Sequence, residues 1–284
     1  MIDPYGDPVA KPCADRHGRT MRSLPFILSL CISALPVFAQ AASSDWRHVE
    51  GGSIRIVTSG APDASGHLRG ALEIRLKAGW KTYWLDPGDA GVPPTLTAAG
   101  QTTIPVEIGF PAPARFDDGY ATSAGYDHPV SLALTFALPD DTVLPTRLEA
   151  EIFLGLCETI CIPVQASLSF DPRNDAGDPE HASVVENAFA VLPEPARPDF
   201  SARLVETGET SVLLAADLPE GVRALDLFIA GTPSLTLDTP QKESKGSQTL
   251  FRVPVVARTG TGGDELAYTL VTDAGAVSGH IRLP

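Results

Sequence analysis

The chain contains few cysteines and fewer basic residues than acidic ones. Its 284 residues include 4 cysteines, and 35 Asp and Glu against 21 Lys and Arg give a formal net charge of −14. No basic cluster interrupts this acidic background, which argues against nucleic acid or anionic lipid as a partner. Glycine-rich phosphate loops, HExxH motifs and GxSxG elbows are also absent from the sequence. The enzyme classes that those motifs define are therefore disfavoured.

Long apolar runs are scarce as well. Residues 24–38 form an apolar stretch after Arg22, and residues 39–41 (AQA) offer a small-x-small cleavage pattern, as in a secretory signal. No later segment reaches the ~20 apolar residues of a membrane-spanning helix. We therefore expect residues 1–41 to be an N-terminal extension with a signal peptide, and the mature chain to be periplasmic without a membrane span.

Short alternating runs separated by glycine and proline fill most of the remaining sequence. Apolar and polar side chains alternate in residues 72–76, for example, and this period of two is typical of half-buried strands. The spacing predicts an all-β protein with an immunoglobulin-like β-sandwich over residues 42–172. A shift to Asp, Pro, Asn and Ala predicts a linker at 173–198, and renewed alternation predicts a second, smaller β-sandwich domain over 199–284.

The linker and the second region carry more specific patterns. Apolar residues at helical spacing predict a short helix in the linker: Val184, Val185, Ala188, Phe189 and Leu192. Alternation predicts strands in the second region near residues 211–214, 224–229, 234–237, 250–256, 266–271 and 280–283.

The last two cysteines lie between two strand-like segments. The even-numbered positions of residues 148–156 and of residues 162–170 are apolar, which predicts two half-buried antiparallel strands. A turn at residues 158–160 sets a register in which all the apolar side chains share one face. In this register Cys157 lies opposite Cys161 at a Cα separation of ~4.5 to 5.5 Å, which a disulfide can bridge.

Both cysteines are odd-numbered and therefore point away from the apolar face. At the tip of a hairpin we expect both sulfurs near the surface, where a thiol of another protein can attack one of them. A disulfide that closes so short a loop contributes only about 2 kcal/mol in the chain-entropy model. The leading hypothesis is therefore a redox-active pair, Cys157 with Cys161, that needs no organic cofactor.

Two other interpretations of the pair stay open. The first is a structural disulfide, the usual state of cysteine pairs in exported β-sandwiches, within a non-catalytic binding module such as a periplasmic copper-handling or assembly protein. A Cu(I) site built from both thiolates, with or without His128, suits the softness of that ion. We expect no other metal site, because no two histidines after residue 41 have the spacing of a recognisable motif.

Three stretches together resemble the N-terminal periplasmic domain of the DsbD-type protein-disulfide reductases, and especially the relatives called suppressor of copper sensitivity protein B. They are residues 79–91 (GWKTYWLDPGDAG), residues 111–126 (PAPARFDDGYATSAGY) and residues 157–163 (CETICIP). Their order and separation make the combination specific. The resemblance covers about residues 45–170, and the second β region is similar only in general character.

The resemblance implies a cysteine pair that passes electrons from a membrane-embedded thiol reductase to periplasmic thioredoxin-fold proteins, in processes such as cytochrome c biogenesis or copper tolerance. It also implies that Cys161 forms the mixed disulfide with partners and that Cys157 resolves it. The protein would thus be a thiol:disulfide interchange component of a protein-disulfide reductase system. Because the sequence contains neither the membrane domain nor the C-terminal thioredoxin domain of the family, we expect that the protein either works with a separately encoded membrane reductase or has acquired a different role.

In the family a cap loop shields the sulfurs, and the matching residues here are Phe116, Asp117, Asp118, Gly119 and Tyr120. An aromatic lid of this kind limits wasteful reoxidation and can swing aside when a partner docks. Tyr83 and Trp80 match family aromatics, and either lining of the site or packing in the core fits their positions equally well. The short spacing between the cysteines matches the copper-sensitivity relatives rather than the best-known DsbD domain, which leaves the identity of the partner open.

Overall fold

The structure is a computed structural model, and it describes residues 42–284 except 89, 118, 120, 139–143, 175–176, 247 and 261–262. The expected extension and signal peptide, residues 1–41, lie outside the described residues. So do Asp118 and Tyr120 of the expected cap loop. Within the described part of the chain, no helix is long and apolar enough to cross a membrane.

The first half of the described chain is built from short strands joined by turns. These strands are β1 (Arg47–Val49), β2 (Gly52–Thr58), β3 (His67–Leu76), β4 (Thr82–Gly88), β5 (Thr95–Ala99), β6 (Thr103–Ile104), β7 (Val106–Gly109), β8 (Ala114–Asp117), β9 (Thr122–Tyr126), β10 (Val130–Ala137), β11 (Leu148–Cys157) and β12 (Cys161–Phe170). They form a sheet of order β1-β2-β3-β10-β7, a sheet of order β12-β11-β5-β6, and a small sheet of order β4-β9-β8.

The apolar positions of the two larger sheets pack against each other. Leu72 on β3, Leu132 on β10 and Ile152 on β11 are almost completely buried and belong to one core cluster. Burial of a large aliphatic side chain contributes about 1.5–3 kcal/mol, so this alternation of buried and exposed positions holds the sheets together. The chain is all-β and immunoglobulin-like here, which confirms the predicted fold class.

The amphipathic segment of the linker forms the helix α1 (Pro179–Ala190). Asp178 caps its first turn, because the side chain accepts hydrogen bonds from the backbone N–H groups of Glu180 (2.7 Å) and His181 (3.3 Å). The apolar face lies against the outer side of the first sheet, and its members are Val184, Val185, Ala188, Phe189 and Leu192. The helix therefore covers one face of the first sandwich.

The second half of the described chain repeats the sandwich on a smaller scale. Its strands are β13 (Glu194–Pro195), β14 (Ser201–Thr207), β15 (Ser211–Asp217), β16 (Ala224–Ile229), β17 (Leu235–Leu237), β18 (Gln241–Lys245), β19 (Gln248–Arg258), β20 (Glu265–Thr272) and β21 (Gly275–Arg282). One sheet has the order β13-β21-β20-β16, and the other has the order β14-β15-β19-β17, with β18 also paired to β19. Phe251 and Leu270 lie fully buried between them.

The hydrophobic core continues across the junction of the two sandwiches. Phe228, on β16, and Ala230, just beyond it, pack within the core cluster of the first sandwich. The described residues from 42 onward accordingly form one compact unit. The limits proposed for two separate domains, 42–172 and 199–284, stay a prediction.

Candidate redox site

The two cysteines close the hairpin of β11 and β12. The observed register pairs Leu156 with Ile162 and Cys157 with Cys161, as the alternation predicted. The cysteines form a disulfide with a Cα separation of 4.1 Å. The bond therefore joins the last residue of one strand to the first residue of the next.

The two cysteines differ in their exposure to solvent. Cys161 is exposed and follows Ile160, whose side chain is 70% exposed at the turn. Cys157 is only 5% exposed. The expectation that both cysteines lie near the surface is therefore wrong for Cys157.

Residue Lys81, just before β4, explains why Cys157 is buried. The backbone N–H of Lys81 donates to the carbonyl of Cys157 (2.7 Å), and the N–H of Cys157 donates to the carbonyl of Lys81 (3.0 Å). Next to this bridge, the Thr82 hydroxyl donates to the carbonyl of Gly155 (3.0 Å). The start of β4 thus extends the sheet beyond the hairpin and covers Cys157 but not Cys161.

Tyr83, on β4, contacts the exposed cysteine from inside the protein. Its hydroxyl oxygen lies 3.1 Å from Sγ of Cys161, although the residue itself is only 4% exposed. A disulfide sulfur carries no proton, so the phenol must be the donor. The structure thus brings Tyr83 to the sulfurs, as the sequence comparison implied.

Two glycines leave room for the Tyr83 ring. A Cβ on Gly91 would lie 2.6 Å from Cε1 of Tyr83, and a Cβ on Gly155 would lie 3.2 Å from its Cδ2. Gly91 also has a φ of 144°, a conformation that side chains with a Cβ rarely adopt. The ring is therefore held between Gly91, where an added side chain would clash with it, and Gly155, where an added side chain would fit only tightly.

Trp80 does not share this role. A Cβ on Gly51 would lie 2.2 Å from Cε3 of the indole, and the ring packs against the core of the first sandwich. Trp80 therefore serves packing, the second of the two roles that its position allowed.

The described residues of the expected cap loop lie on and after β8. Phe116 faces Lys81, whose Nζ is 5.0 Å from the ring centroid. Asp117 accepts a hydrogen bond from the backbone N–H of Gly119 (2.8 Å), and Gly119 has a φ of 82°. Lys81 therefore connects the loop to the site, since its backbone pairs with Cys157 and its ammonium lies over Phe116.

Charged groups surround the hairpin tip on the side of Lys81. Glu158 approaches the loop at Gly79, where an added Cβ would lie 3.2 Å from its Oε1. The pKa of Asp127 lies below its usual value, chiefly because of the hydrogen bond with His128 and in small part because of the charge on Lys81. Glu158 thus lies beside Gly79, and Asp127 lies close enough to Lys81 to be influenced by its charge.

His128 contacts its neighbours in the sequence. Its Nδ1 lies 3.1 Å from Oδ1 of Asp127, and its ring makes an edge contact with Tyr126 at 6.3 Å between centroids. Among the described residues, no group of three or more His, Cys, Asp or Glu side chains could hold a metal ion.

Two residues of this site had no role predicted from the sequence. Lys81 is the backbone partner of Cys157, and Gly155 gives space to Tyr83. Lys81 stands within the 79–91 stretch that carries the family resemblance. Its position between Trp80 and Tyr83, which match family aromatics, could have indicated that Lys81 belongs to the site.

Comparison with known proteins agrees with this site. Residues 57–171 match the family model of the thiol:disulfide interchange protein DsbD, N-terminal. The resemblance inferred from the sequence is thereby confirmed, and the match supports a thiol:disulfide interchange module over these residues. Domains of this type have thiol-redox partners. No curated protein matches the chain.

The comparison with solved structures extends over more of the chain. The N-terminal periplasmic domain of ScsB from Proteus mirabilis superposes with a TM-score of 0.70 at 21% identity, covering 86% of this chain and 100% of that one. A matched region of this size cannot end before residue 199, so the shared fold extends into the second sandwich. The periplasmic chaperone SfaE covers 80% of this chain and 97% of its own at 12% identity, but its TM-score of 0.20 carries no argument.

Proposed function

We propose that this protein is a periplasmic thiol:disulfide interchange protein. Its Cys157–Cys161 pair passes electrons from a membrane-embedded thiol reductase to periplasmic thioredoxin-fold proteins, and the dithiol is its only redox group. Residues 21–41 serve as the export signal. The observation that carries the proposal is a disulfide with one exposed and one buried sulfur, within a module of the DsbD N-terminal type. The periplasmic location of the ScsB domain supports the proposed compartment.

The difference in exposure assigns an order to the two sulfurs. A thiolate of the reductase can reach Sγ of Cys161, form a mixed disulfide with it, and release Cys157 as a thiolate. A second reductase thiolate then displaces Cys161, so that two electrons enter the pair. Cys157 is too well covered to be attacked first by another protein.

Delivery to a partner runs through the same atoms in reverse. The Cys161 thiolate attacks a disulfide sulfur of the thioredoxin-fold protein, and the other partner sulfur leaves. The Cys157 thiolate then attacks Sγ of Cys161, which restores the internal disulfide and releases the second partner sulfur. Two electrons leave the pair, and the partner thiolates take up two protons from solvent.

Tyr83 supports these steps by its position. A hydrogen bond from its hydroxyl to Cys161 is stronger when the sulfur carries a negative charge, because charge-assisted hydrogen bonds exceed neutral ones. The phenol therefore favours the thiolate of Cys161 both as attacking group and as leaving group.

A structural disulfide is the second candidate function, and the burial of Cys157 is the observation that favours it. Electron transfer from the reduced protein to a purified, oxidised thioredoxin separates the two candidates. The proposal predicts transfer by the wild type, a trapped mixed disulfide with Cys157→Ser, and neither with Cys161→Ser. Absence of transfer from a fully reduced and folded wild type would support the structural candidate.

A further inference from the structure

The turn of the β11–β12 hairpin exposes an apolar side chain next to the accessible sulfur. Ile160 is 70% exposed, more than any other large hydrophobic residue that the structure describes. Its neighbours in the turn, Glu158 and Thr159, are polar and exposed. Single exposed apolar side chains are common on protein surfaces, so it is the place of Ile160 in the site that gives it meaning.

The Ile160 side chain contributes little to the closure of the hairpin. Inside the turn, the backbone N–H of Glu158 donates to the carbonyl of Ile160 (3.3 Å). At its ends, the strand register continues up to the pair of Cys157 and Cys161. Neither interaction uses the side chain at position 160, so the fold of the turn does not explain an isoleucine there.

The chemistry of thiol exchange brings a partner onto Ile160. A mixed disulfide places the sulfur of the partner about 2.0 Å from Sγ of Cys161. The Cα atoms of Ile160 and Cys161 are joined by one peptide unit and so lie about 3.8 Å apart. Because the Ile160 side chain is largely open to solvent, a protein surface that delivers its sulfur to Cys161 covers Ile160 as well.

Phe153, on β11, lies further out on the face that carries the disulfide. The strand alternates without a break from Phe153 to Cys157, so the two side chains point to the same side. Phe153 is 41% exposed, and four residues separate it from Cys157 by about 13 Å along the strand. A transient redox complex covers up to about 600 Å² on each partner, a disc of about 14 Å radius. A partner centred on Cys161 thus has Ile160 near its centre and Phe153 at its margin.

We propose that Ile160 is an anchor that determines which proteins exchange thiols with this one. In the complex its side chain enters an apolar recess beside the reactive cysteine of a thioredoxin-fold partner, and Phe153 contacts the margin of the same surface. Contacts at the desolvated centre of an interface carry more of the binding free energy than contacts at its rim. This inference deepens the proposed function and rests on it.

The test compares a protein oxidant with a small one. The reduced protein is mixed with oxidised thioredoxin or with hydroxyethyl disulfide, and free thiols are trapped over time. In both reactions the dithiol of Cys157 and Cys161 is oxidised to the disulfide, and the disulfide of the oxidant is reduced to two thiols. The two second-order rate constants differ in one respect, because only thioredoxin is large enough to cover Ile160.

Ile160→Val and Ile160→Thr form a matched pair, since valine and threonine have nearly the same shape and both are branched at Cβ. Ile160→Val is expected to slow transfer to thioredoxin about threefold, the effect of one methylene. Ile160→Thr is expected to slow it about ten- to thirtyfold, because its hydroxyl loses water in an apolar recess. Both variants should react with hydroxyethyl disulfide within about twofold of the wild type.

Two outcomes of this comparison would overturn the anchor. Equal rate constants of Ile160→Val and Ile160→Thr with thioredoxin would show that the apolar character of the side chain is irrelevant. An equal loss of rate with both oxidants would show that the side chain acts on Cys161 itself rather than on a partner. If Ile160→Thr fails to fold, Ile160→Ser takes its place in the comparison.

Two exposed apolar residues elsewhere calibrate the effect. Phe153→Ser is expected to slow transfer to thioredoxin about two- to threefold, less than Ile160→Thr, because it lies at the rim. Val256 is 64% exposed on β19, a strand that pairs with β15, β17 and β18 of the second sandwich. Val256→Thr should stay within about twofold of the wild type. A loss in Val256→Thr as large as that in Ile160→Thr would contradict a local anchor.

A second copy of this chain is the alternative occupant of the Ile160 surface. Sedimentation velocity over a range of concentrations tests it. We expect the wild type and Ile160→Thr to sediment alike. A wild-type dimer that dissociates upon Ile160→Thr would assign the side chain to self-association and overturn the proposal.

The proposed electron transfer and the anchor can fail separately. If the folded, reduced wild type reacts with hydroxyethyl disulfide but not with thioredoxin, the proposed function falls and the anchor falls with it. If the wild type transfers electrons to thioredoxin and the Ile160→Val and Ile160→Thr variants do so equally, the proposed function stands and only the anchor falls.

Discussion

The hairpin of β11 and β12 in the first sandwich and the hairpin of β20 and β21 in the second are closed in different ways. In the first sandwich β11 and β12 end at the disulfide between Cys157 and Cys161. In the second sandwich β20 and β21 end at Thr272 opposite Gly275, where the threonine hydroxyl donates to the carbonyl of Gly275 (2.7 Å). The same hydroxyl accepts from the backbone N–H of Ala274 (3.2 Å).

This difference bears on the purpose of the disulfide. The β20–β21 hairpin keeps its strands in register with hydrogen bonds at its tip, and it needs no covalent bond to do so. The β11–β12 hairpin has the same alternation of buried positions along its length. The disulfide is therefore not required for closure, which favours a chemical purpose for it.

The largest expected effect comes from removing the disulfide. The double variant Cys157→Ala, Cys161→Ala loses all thiol exchange with thioredoxin, yet it remains folded because the hairpin register persists. We expect its free energy of unfolding in urea to fall by only about 2 kcal/mol, the value for a short loop. An unfolded double variant would contradict the comparison of the two hairpins and support a structural disulfide.

Matched core substitutions behind the two hairpins should destabilise alike but differ in their chemistry. Leu156 and Leu270 are both fully buried, so Leu156→Ala and Leu270→Ala should each lower the free energy of unfolding by about 2–5 kcal/mol. Only Leu156→Ala should also speed reduction by dithiothreitol under folding conditions, because the leucine adjoins Cys157. Equal reduction rates for the two variants would show that the packing behind the β11–β12 hairpin does not affect the reduction of the disulfide.

Tyr83→Phe tests the contact between the Tyr83 hydroxyl and Cys161, which has no counterpart at the tip of the β20–β21 hairpin. In a Cys157→Ser background, we expect alkylation of Cys161 by iodoacetamide at pH 7 to slow about three- to tenfold, because the thiolate loses a charge-assisted hydrogen bond. The phenyl ring keeps the packing between Gly91 and Gly155, so the melting temperature should hardly change. An unchanged alkylation rate would remove Tyr83 from the mechanism.

The smallest expected effect lies at the tip of the β20–β21 hairpin. Hydrogen bonds from the backbone N–H and the guanidinium of Arg223 hold the pKa of Asp273 below its usual value. The ionised form is thus favoured by folding, so this contribution is complete above the ordinary pKa of an aspartate and is lost as the pH falls through the lowered one.

Asp273→Asn should therefore be slightly less stable than the wild type at pH 7, and the difference should vanish in acid. Thermal unfolding at several pH values measures it, and the midpoint potential of the disulfide serves as the control that should not move. A stability difference that is the same at every pH would contradict the role of the charge.

The sequence was most informative where one face of a strand is buried. The register of β11 and β12 followed from the alternation alone, because a slip by one residue would move every apolar side chain to the solvent. The helix α1 was equally visible, since its apolar residues recur at helical spacing.

Contacts between distant segments escaped the same reasoning. The burial of Cys157 depends on its pairing with Lys81, and no pattern within the hairpin contains that information. The pair of Arg115 and Asp226 depends on a bulge in β16. Strand β18 also went unpredicted, because its residues (QKESK) form an exposed, polar edge without apolar alternation.

The reduction potential of the Cys157–Cys161 couple tests the central claim most directly. The purified protein is equilibrated in graded thiol buffers, free thiols are trapped, and the fold is followed by circular dichroism in both states. The account predicts a midpoint of about −200 to −270 mV with the fold intact whether the pair is oxidised or reduced. A midpoint below about −300 mV, or unfolding upon reduction, would contradict it and identify the bond as structural.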